Sequence, residues 1–233
     1  MPIPEFRWLG EVPYKRAQGL QNELIQQLKP KTRHEGENSE GLCGLTQNLP
    51  DQGVVLGLEH PPVITLGRRG AEDQDVLGSR DELEQQGFDV ITSERGGQGT
   101  LHEPGQLVIY PVLSLKAWGL RPKSYVNLLE KVTVNTLNHY GIKVFSKGRE
   151  PGLFTRRGKL AFFGVRIAQG ITSHGVAINI TNPIRSFDWI RSCGHSKQTH
   201  DRMADWGVDA TPKEIFQCWM NAFDQYLQLD RTS

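Results

Sequence analysis

The sequence predicts an α+β fold in which helices flank a mixed, mostly antiparallel sheet. Apolar runs of strand length alternate with stretches whose apolar residues recur at helical spacing. Two rich strand candidates, residues 159–167 and 171–180, meet at Gln169-Gly170 and read as a β-hairpin. Strands joined by tight turns, with helices interspersed, point to an α+β arrangement.

The elements follow in order. Residues 14–28 carry Ala17, Leu20, Leu24, Ile25 and Leu28 at helical spacing. Residues 54–58 and 63–66 are short apolar runs split by His60-Pro61-Pro62, and the prolines forbid a continuous central strand there. Residues 80–86 read as a short helix and 88–92 as a strand. Arg95-Gly96-Gly97 opens a glycine-rich loop, and Leu107-Val108-Ile109-Tyr110 begins a strand over 107–111. Residues 124–139 form a second long helix, with Tyr125, Leu128, Leu129, Val132 and Leu137 among its apolar positions, and 142–145 a further strand. Gln at position 169 suits a turn residue of positive φ poorly, which leaves the hairpin register open. Thr211-Pro212-Lys213-Glu214 starts the last helix with a capping residue, a proline at the first helical position and a glutamate at the third.

At 233 residues the chain fits a single domain over 1–233. Residues 29–52, rich in Lys, Glu, Asn and Gly, read as an exposed loop insertion. A net charge of +1 argues against a nucleic-acid-binding surface. No apolar stretch approaches the ~20 residues that span a bilayer, so no membrane association is expected. The N-terminus lacks the apolar core of a secretory signal. Three widely spaced cysteines make neither a disulfide framework nor a metal pair, and the natural compartment is a reducing cytoplasm.

Chemistry concentrates in two places. Arg95 through His102 combines three glycines, which let backbone approach a ligand, with an arginine that can pair with an anion and a histidine that can donate, accept or carry charge. It lacks the spacing of a dinucleotide fingerprint and the ending of a P-loop. Cys193, in Arg191-Ser192-Cys193-Gly194-His195, has Arg191, His195 and Lys197 nearby in sequence, and positive neighbours favour a nucleophilic thiolate. Cys218 lies beside the apolar face of the last helix as a small hydrophobe, and Cys43 sits in the polar loop. His60, His174, His195 and His200 are further histidines whose approach to Cys193 the sequence leaves open, as it leaves open a structural role for the cysteine itself. No second clustered pair accompanies Cys193, His195 and His200, so no metal is expected. Lys159 enters an apolar strand and is either an edge gatekeeper or a functional amine.

Five ordered blocks carry a resemblance. They are Glu59-His60-Pro61-Pro62-Val63-Ile64-Thr65-Leu66-Gly67-Arg68; Arg95-Gly96-Gly97 to His102 with Pro104-Gly105-Gln106 and Tyr110-Pro111; Gly158-Lys159-Leu160-Ala161 with Gly164-Val165-Arg166; Thr172, His174-Gly175, Ala177 and Asn179; and Phe187, Ile190 and Cys193-Gly194. In this order and spacing the chain resembles the octanoyltransferases of lipoate biosynthesis, the lipoyl(octanoyl) transferase family. The resemblance implies a biotin/lipoate protein ligase-like fold. It also implies transfer of an octanoyl group from acyl carrier protein to a lysine of lipoyl domains, those of 2-oxoacid dehydrogenase complexes and the glycine cleavage H protein. Cys193 matches the acyl-thioester nucleophile and Lys159 the lysine that holds the thiolate and serves as acid and base. Arg95, Gly96, Gly97, Gln98, Gly99, Thr100, Leu101 and His102 match one substrate-binding strip. Phe162, Phe163 and Gly164 match a second, and Gly175, Val176 and Ala177 a third. Backbone N–H groups of these strips would bind the oxyanion. No cofactor is implied, and a monomer is expected.

The chain departs from the family at Leu101 and Glu103, which flank the loop histidine, and at Ser192 before the cysteine. Arg68, Arg69, Arg156 and Arg157 are candidates for landing an acidic carrier protein. Two other readings stay open at this point. One is an ATP-dependent lipoate or biotin ligase of the same fold; the other is a non-catalytic relative that binds acyl chains or lipoyl domains.

Overall fold

A computed structural model describes residues 4–29, 52–148, 150–191 and 199–229. Its strands are β1 (Glu5–Glu11), β2 (Gly53–Glu59), β3 (Val63–Leu66), β4 (Asp89–Thr92), β5 (Gly99–His102), β6 (Gln106–Leu113), β7 (Phe145–Lys147), β8 (Glu150–Phe154), β9 (Lys159–Ala168) and β10 (Ile171–Asn179). Its helices are α1 (Tyr14–Leu28), α2 (Glu72–Asp75), α3 (Arg80–Gln85), α4 (Pro122–His139) and α5 (Pro212–Leu229), with 3-10 turns at Ile184–Trp189 and Met203–Trp206.

Seven strands form the main sheet in the order β1-β2-β6-β10-β9-β8-β7. Only β1 and β2 pair parallel; every other neighbour is antiparallel. A second sheet, β4-β3-β5, has one parallel and one antiparallel pair. The expected mixed, mostly antiparallel α+β architecture is therefore present. Helices α4 and α5 cover one face of the main sheet, where Tyr125, Leu129, Val132, Phe216, Trp219 and Phe223 pack on Val55, Ile109, Val176 and Ile178. Helix α1 covers part of the other face through Ala17 and Leu24, packed on Val54, Leu56, Val108 and Val112. Covered on both faces, β2 and β6 are buried almost throughout, so they read as continuous apolar runs rather than alternating ones.

Local chemistry explains the boundaries. The backbone N–H and hydroxyl of Thr211 both donate to the Glu214 carboxylate, the capping box expected at the start of α5. Ser79 and Glu82 make a second box on α3. Helix α4 begins at Pro122 rather than at 124, because proline suits the first helical turn. The β9–β10 hairpin turns at Gln169 (φ 53°) and Gly170 (φ 77°), so Gln169 takes a left-handed conformation despite its side chain.

Several expectations are corrected. Strand β6 continues through Pro111 to Leu113, beyond the expected end at 111. Pairing with β10 covers only residues 106–109, so the missing N–H of Pro111 interrupts no bond on that side. The expected strand over 142–145 lies instead at Phe145–Lys147, with Ile142 buried in the core ahead of it. The strand expected from 88 begins at Asp89, and Phe88 packs into the small core under the second sheet. The glycine-rich loop contains strand β5, whose glycine content hid it. Strands β1 and β8 went unread for want of a clean apolar alternation.

Candidate active site

A cavity of about 300 Å³ opens on the face of the main sheet away from α4 and α5. Strand β9 and the 199–201 segment fix one end of it. The Lys159 N–H donates to Thr199 O at 2.9 Å, and the Asp201 N–H donates to Lys159 O at 2.9 Å. Gly158 allows that approach, since a Cβ there would stand 2.6 Å from Thr199 O. The Asp201 carboxylate is held by the indole N–H of Trp206 and the hydroxyl of Thr155.

Lys159 is 1% exposed and lines the cavity. Its ammonium donates to Glu150 Oε1 at 3.1 Å and lies 5.0 Å from the centre of the Phe162 ring, within cation–π range. The gatekeeper reading fails: β9 is an interior strand, between β10 and β8. His200 pairs with Lys159 as an isolated bridge and stacks on Phe187 with ring centres 4.0 Å apart. Burial first, and the Lys159 charge second, push its pKa down to about 4. Cys193, with Ser192, Gly194, His195 and Lys197, lies outside the described residues, as do Cys43 and residues 30–51. Cys218 is partly exposed on α5, and burial raises its thiol pKa, which keeps it protonated.

The glycine-rich strip crosses the cavity. Arg95, Gly96, Gly97, Gln98, Gly99, Thr100 and His102 all line it. Leu101 does not: it is fully buried with Ile64, Leu83, Phe88, Phe187 and Ile190. The alternation of β5 turns it away from its neighbours, so the leucine is a core residue of the second sheet. Arg95 holds the strip in place. Its guanidinium donates to Thr65 Oγ1 at 3.1 Å and 2.9 Å, to Thr65 O at 2.5 Å and to Gly96 O at 3.1 Å. The Gly96 N–H, an expected oxyanion donor, donates to Val165 O at 3.1 Å. The other two strips meet across the β9–β10 ladder, where Phe162 faces Ala177, Phe163 faces Val176 and Gly164 faces Gly175. All six line the cavity.

A buried polar cluster reaches the cavity through His102 and Tyr110. His60 Nδ1 donates to Val12 O at 2.6 Å, which leaves Nε2 to accept from the Tyr110 hydroxyl at 2.8 Å. His102 Nδ1 donates to Gln106 Oε1 at 2.7 Å, and Gln106 Nε2 donates to Asn179 Oδ1 at 2.9 Å. Burial holds His102 well below the ordinary histidine range and brings His60 to about 4, so both are neutral at pH 7. Glu103, the unusual neighbour of His102, accepts from the Ser186 hydroxyl at 2.8 Å and from Asn182 Nδ2 at 3.4 Å, the amide that also donates to Asn179 Oδ1 at 3.2 Å. Five residues that the sequence reading gave no place in the site also line the cavity: Val108, Tyr110, Glu150, Pro151 and His174, and Arg69, a landing candidate, reaches it as well. His174 and Tyr110 stood in motifs without an assigned role, and nothing in the pattern marked Glu150.

Relatives fit this geometry. Residues 38–223 match the lipoyl protein ligase A/B catalytic domain. An octanoyltransferase of Desulfotalea psychrophila is 39% identical over 168 residues, 71% of this chain and 75% of the relative. One of Solibacter usitatus is 35% identical over 209 residues, 90% and 86% of the two chains. The chain belongs to the octanoyltransferase family. Membership makes it an acyltransferase. The octanoyltransferase chain also shares its fold with a putative lipoate protein ligase from T. acidophilum with bound lipoic acid, at a TM-score of 0.72 and 13% identity over 97% of this chain and 87% of that one. A biotin protein ligase from Aquifex aeolicus in complex with biotin and ATP follows at 0.51 and 13% identity, covering 96% and 70%. Among the described residues no helix is long and apolar enough to cross a membrane.

Proposed function

We propose that this chain takes an octanoyl group from an acyl carrier protein thioester and delivers it to the ε-amine of a lysine on a lipoyl domain, through an acyl-thioester on Cys193. The observation that carries this reading is Lys159. It is a buried ammonium at the end of a cavity with an aromatic wall, hydrogen-bonded through its backbone to Thr199, six residues after Cys193 in sequence.

The two half-reactions balance around that ammonium. The Cys193 thiolate attacks the donor carbonyl, the C–S bond to the carrier breaks, and the departing thiolate takes a proton from Lys159. The acceptor amine then attacks the acyl-enzyme. Its proton passes to the neutral Lys159, and the Cys193 thiolate leaves, which restores the starting state. A proton-transferring group of this kind contributes about 10²–10⁴-fold. The strips lined by Phe162 and Ala177 would bury the octanoyl methylenes, each worth ~0.8 kcal/mol. Arg69 lines the cavity, and Arg68 and Arg69 are exposed, as are Arg156 and Arg157, which stack on Trp206. These charges suit an acidic carrier protein. The enzyme acts as a monomer and a single domain.

Intact mass after incubation with octanoyl-carrier protein, without ATP, is the test. The enzyme mass is expected to rise by one octanoyl group mapped to Cys193, and the label to leave on addition of a lipoyl domain. Turnover only with ATP would make the chain a ligase instead.

A further inference from the structure

The backbone of His174 breaks the alternation of its own strand. Along β10, Val176 and Ile178 face α4 and α5, whereas Ile171 and Ala177 face the α1 side. Alternation would send His174 with Val176. Its φ of 54° lies in the left-handed region, uncommon for a residue with a Cβ. Its ring instead meets that of Tyr110, a residue of the α1-side cluster, at 5.9 Å and 89°. The Gln21 side chain holds this conformation by accepting the His174 N–H at 2.7 Å. Such strained positions persist where the surroundings enforce them, and they cluster at ligand-binding sites.

The redirected side chain has a particular place. His174 is 5% exposed and lines two cavities, the candidate active site and a polar neighbour of about 280 Å³ bounded by Gln18, Gln21, Asn22, Glu94, Arg166 and Ser173. It therefore stands as the partition between them. Its Nδ1 is buried and has no hydrogen-bond partner among the described residues.

Distance from the reacting end fits an eight-carbon chain. The Lys159 ammonium lies beside Phe162 and near Gly152, the strand partner of Phe162. Val165, the strand partner of His174, is three residues further along β9, or about 10 Å at the ordinary strand rise. An extended octanoyl group, seven carbon–carbon bonds of about 1.5 Å, spans ~9 Å.

Resting on the proposal that this cavity takes the acyl chain, we infer that His174 is the residue that sets chain length, as the end wall against which the terminal methyl stops. Burying each added methylene ordinarily strengthens binding about fourfold. Past His174 that gain ends. A ninth or tenth carbon has to displace the ring, or cover its unpaired nitrogen, on the way into a polar cavity.

Steady-state turnover of acyl-carrier thioesters from six to fourteen carbons tests this. Wild type is expected to peak at eight. His174→Gly suits the left-handed backbone and opens the partition, so its kcat/KM for twelve carbons relative to eight is expected to rise at least tenfold. His174→Asn tolerates the same backbone and keeps a polar wall, so it is expected to retain the octanoyl preference. A folded His174→Gly enzyme with the wild-type length profile overturns the inference. Should the glycine variant fail to fold, binding of straight-chain fatty acids of six to twelve carbons to wild type decides the matter. A plateau at eight supports the wall, and a continued rise to twelve removes it. Wild type inactive on every thioester would instead sink the proposed transferase reading, which separates the two failures.

Discussion

The Lys159 ammonium and the Glu150 carboxylate meet at 3.1 Å at the end of the cavity, the lysine 1% exposed and the glutamate 19%. The two sit on adjacent antiparallel strands, β9 and β8. A buried pair of this kind couples badly to the loss of one partner, whereas replacing both by neutral groups of similar volume is often tolerated. Lys159→Met is therefore expected to lower stability by about 1–3 kcal/mol, and Lys159→Met with Glu150→Gln to recover most of it. Both are expected to lose at least ~10²-fold in octanoyl transfer, the low end for a proton-transferring group. Denaturant unfolding and turnover on the same samples separate the effects. A Lys159→Met enzyme with undiminished turnover removes the lysine from the mechanism.

Acid should unfold this protein early. His60, His174 and His200 are held near pKa 4 by burial, and burial holds His102 well down. Each is lowered in the folded state, so the unfolded chain binds more protons between pH 4 and the ordinary histidine value. Stability therefore rises with pH across that window and is lost as pH falls from about 6.5 toward 4. Mid-window, each such histidine adds about 1.4 kcal/mol per pH unit to the slope. Glu103, raised by burial, opposes the trend weakly because it gains from protonation. Melting temperature is expected to drop steeply between pH 6.5 and 4.5, with a shallower slope in His60→Gln. A flat profile over that range would mean the imidazoles are not buried as neutral species.

How much of this was legible in the residues depends on the signal each element offered. Helix α1 and the capping box on α5 were readable because helical periodicity and Thr211-Pro212-Glu214 are local patterns. The β9–β10 hairpin was readable because two apolar runs meet at Gln169-Gly170. Strand β5 was not, since Gly99 and Thr100 gain their strand character from pairing with β3, a non-local contact. In the site, Lys159 and the three strips stood out by motif, whereas Leu101 was carried along by position and belongs to a core. Glu150 and the flipped backbone at His174 depend on tertiary packing that no spacing encodes.

Arginine at position 95 is expected to be irreplaceable by lysine. Its fork reaches Thr65 through both Nε and Nη2 while Nη1 holds Gly96 O, a geometry that a single ammonium cannot reproduce. The strip from Gly96 to Thr100 is anchored through those bonds. Arg95→Lys is expected to cost about 1–3 kcal/mol of stability and to raise KM more than it lowers kcat. Thr65→Val, which keeps the shape and removes the hydroxyl acceptor, should reproduce part of the effect. Hydrogen exchange of the 96–100 amides checks the cause, because faster exchange confined to that strip is the expected signature. Unchanged exchange in Arg95→Lys would show that the guanidinium does not organise it.

Two glycines of facing strips should respond oppositely to the same methyl group. Gly164 and Gly175 are strand partners, and both line the cavity. A Cβ on Gly175 would collide with the backbone carbonyl of Ile109 and stand 2.7 Å from Cδ of Pro111. Neither atom can move without shifting β6. A Cβ on Gly164 would meet Arg95 Cδ at 3.3 Å and Gly96 O at 3.4 Å, contacts that small adjustments relieve. Gly175→Ala is therefore expected to destabilise by about 1–3 kcal/mol, as overpacking does, and to lose soluble yield. Gly164→Ala should fold within about 1 kcal/mol of wild type yet narrow the cavity beside the strip and weaken octanoyl binding. Comparable stability losses in the two variants would mean that the β10–β6 contact is looser than the Gly175–Ile109 approach implies. Unaltered octanoyl kinetics in Gly164→Ala would take the acyl chain off this part of β9.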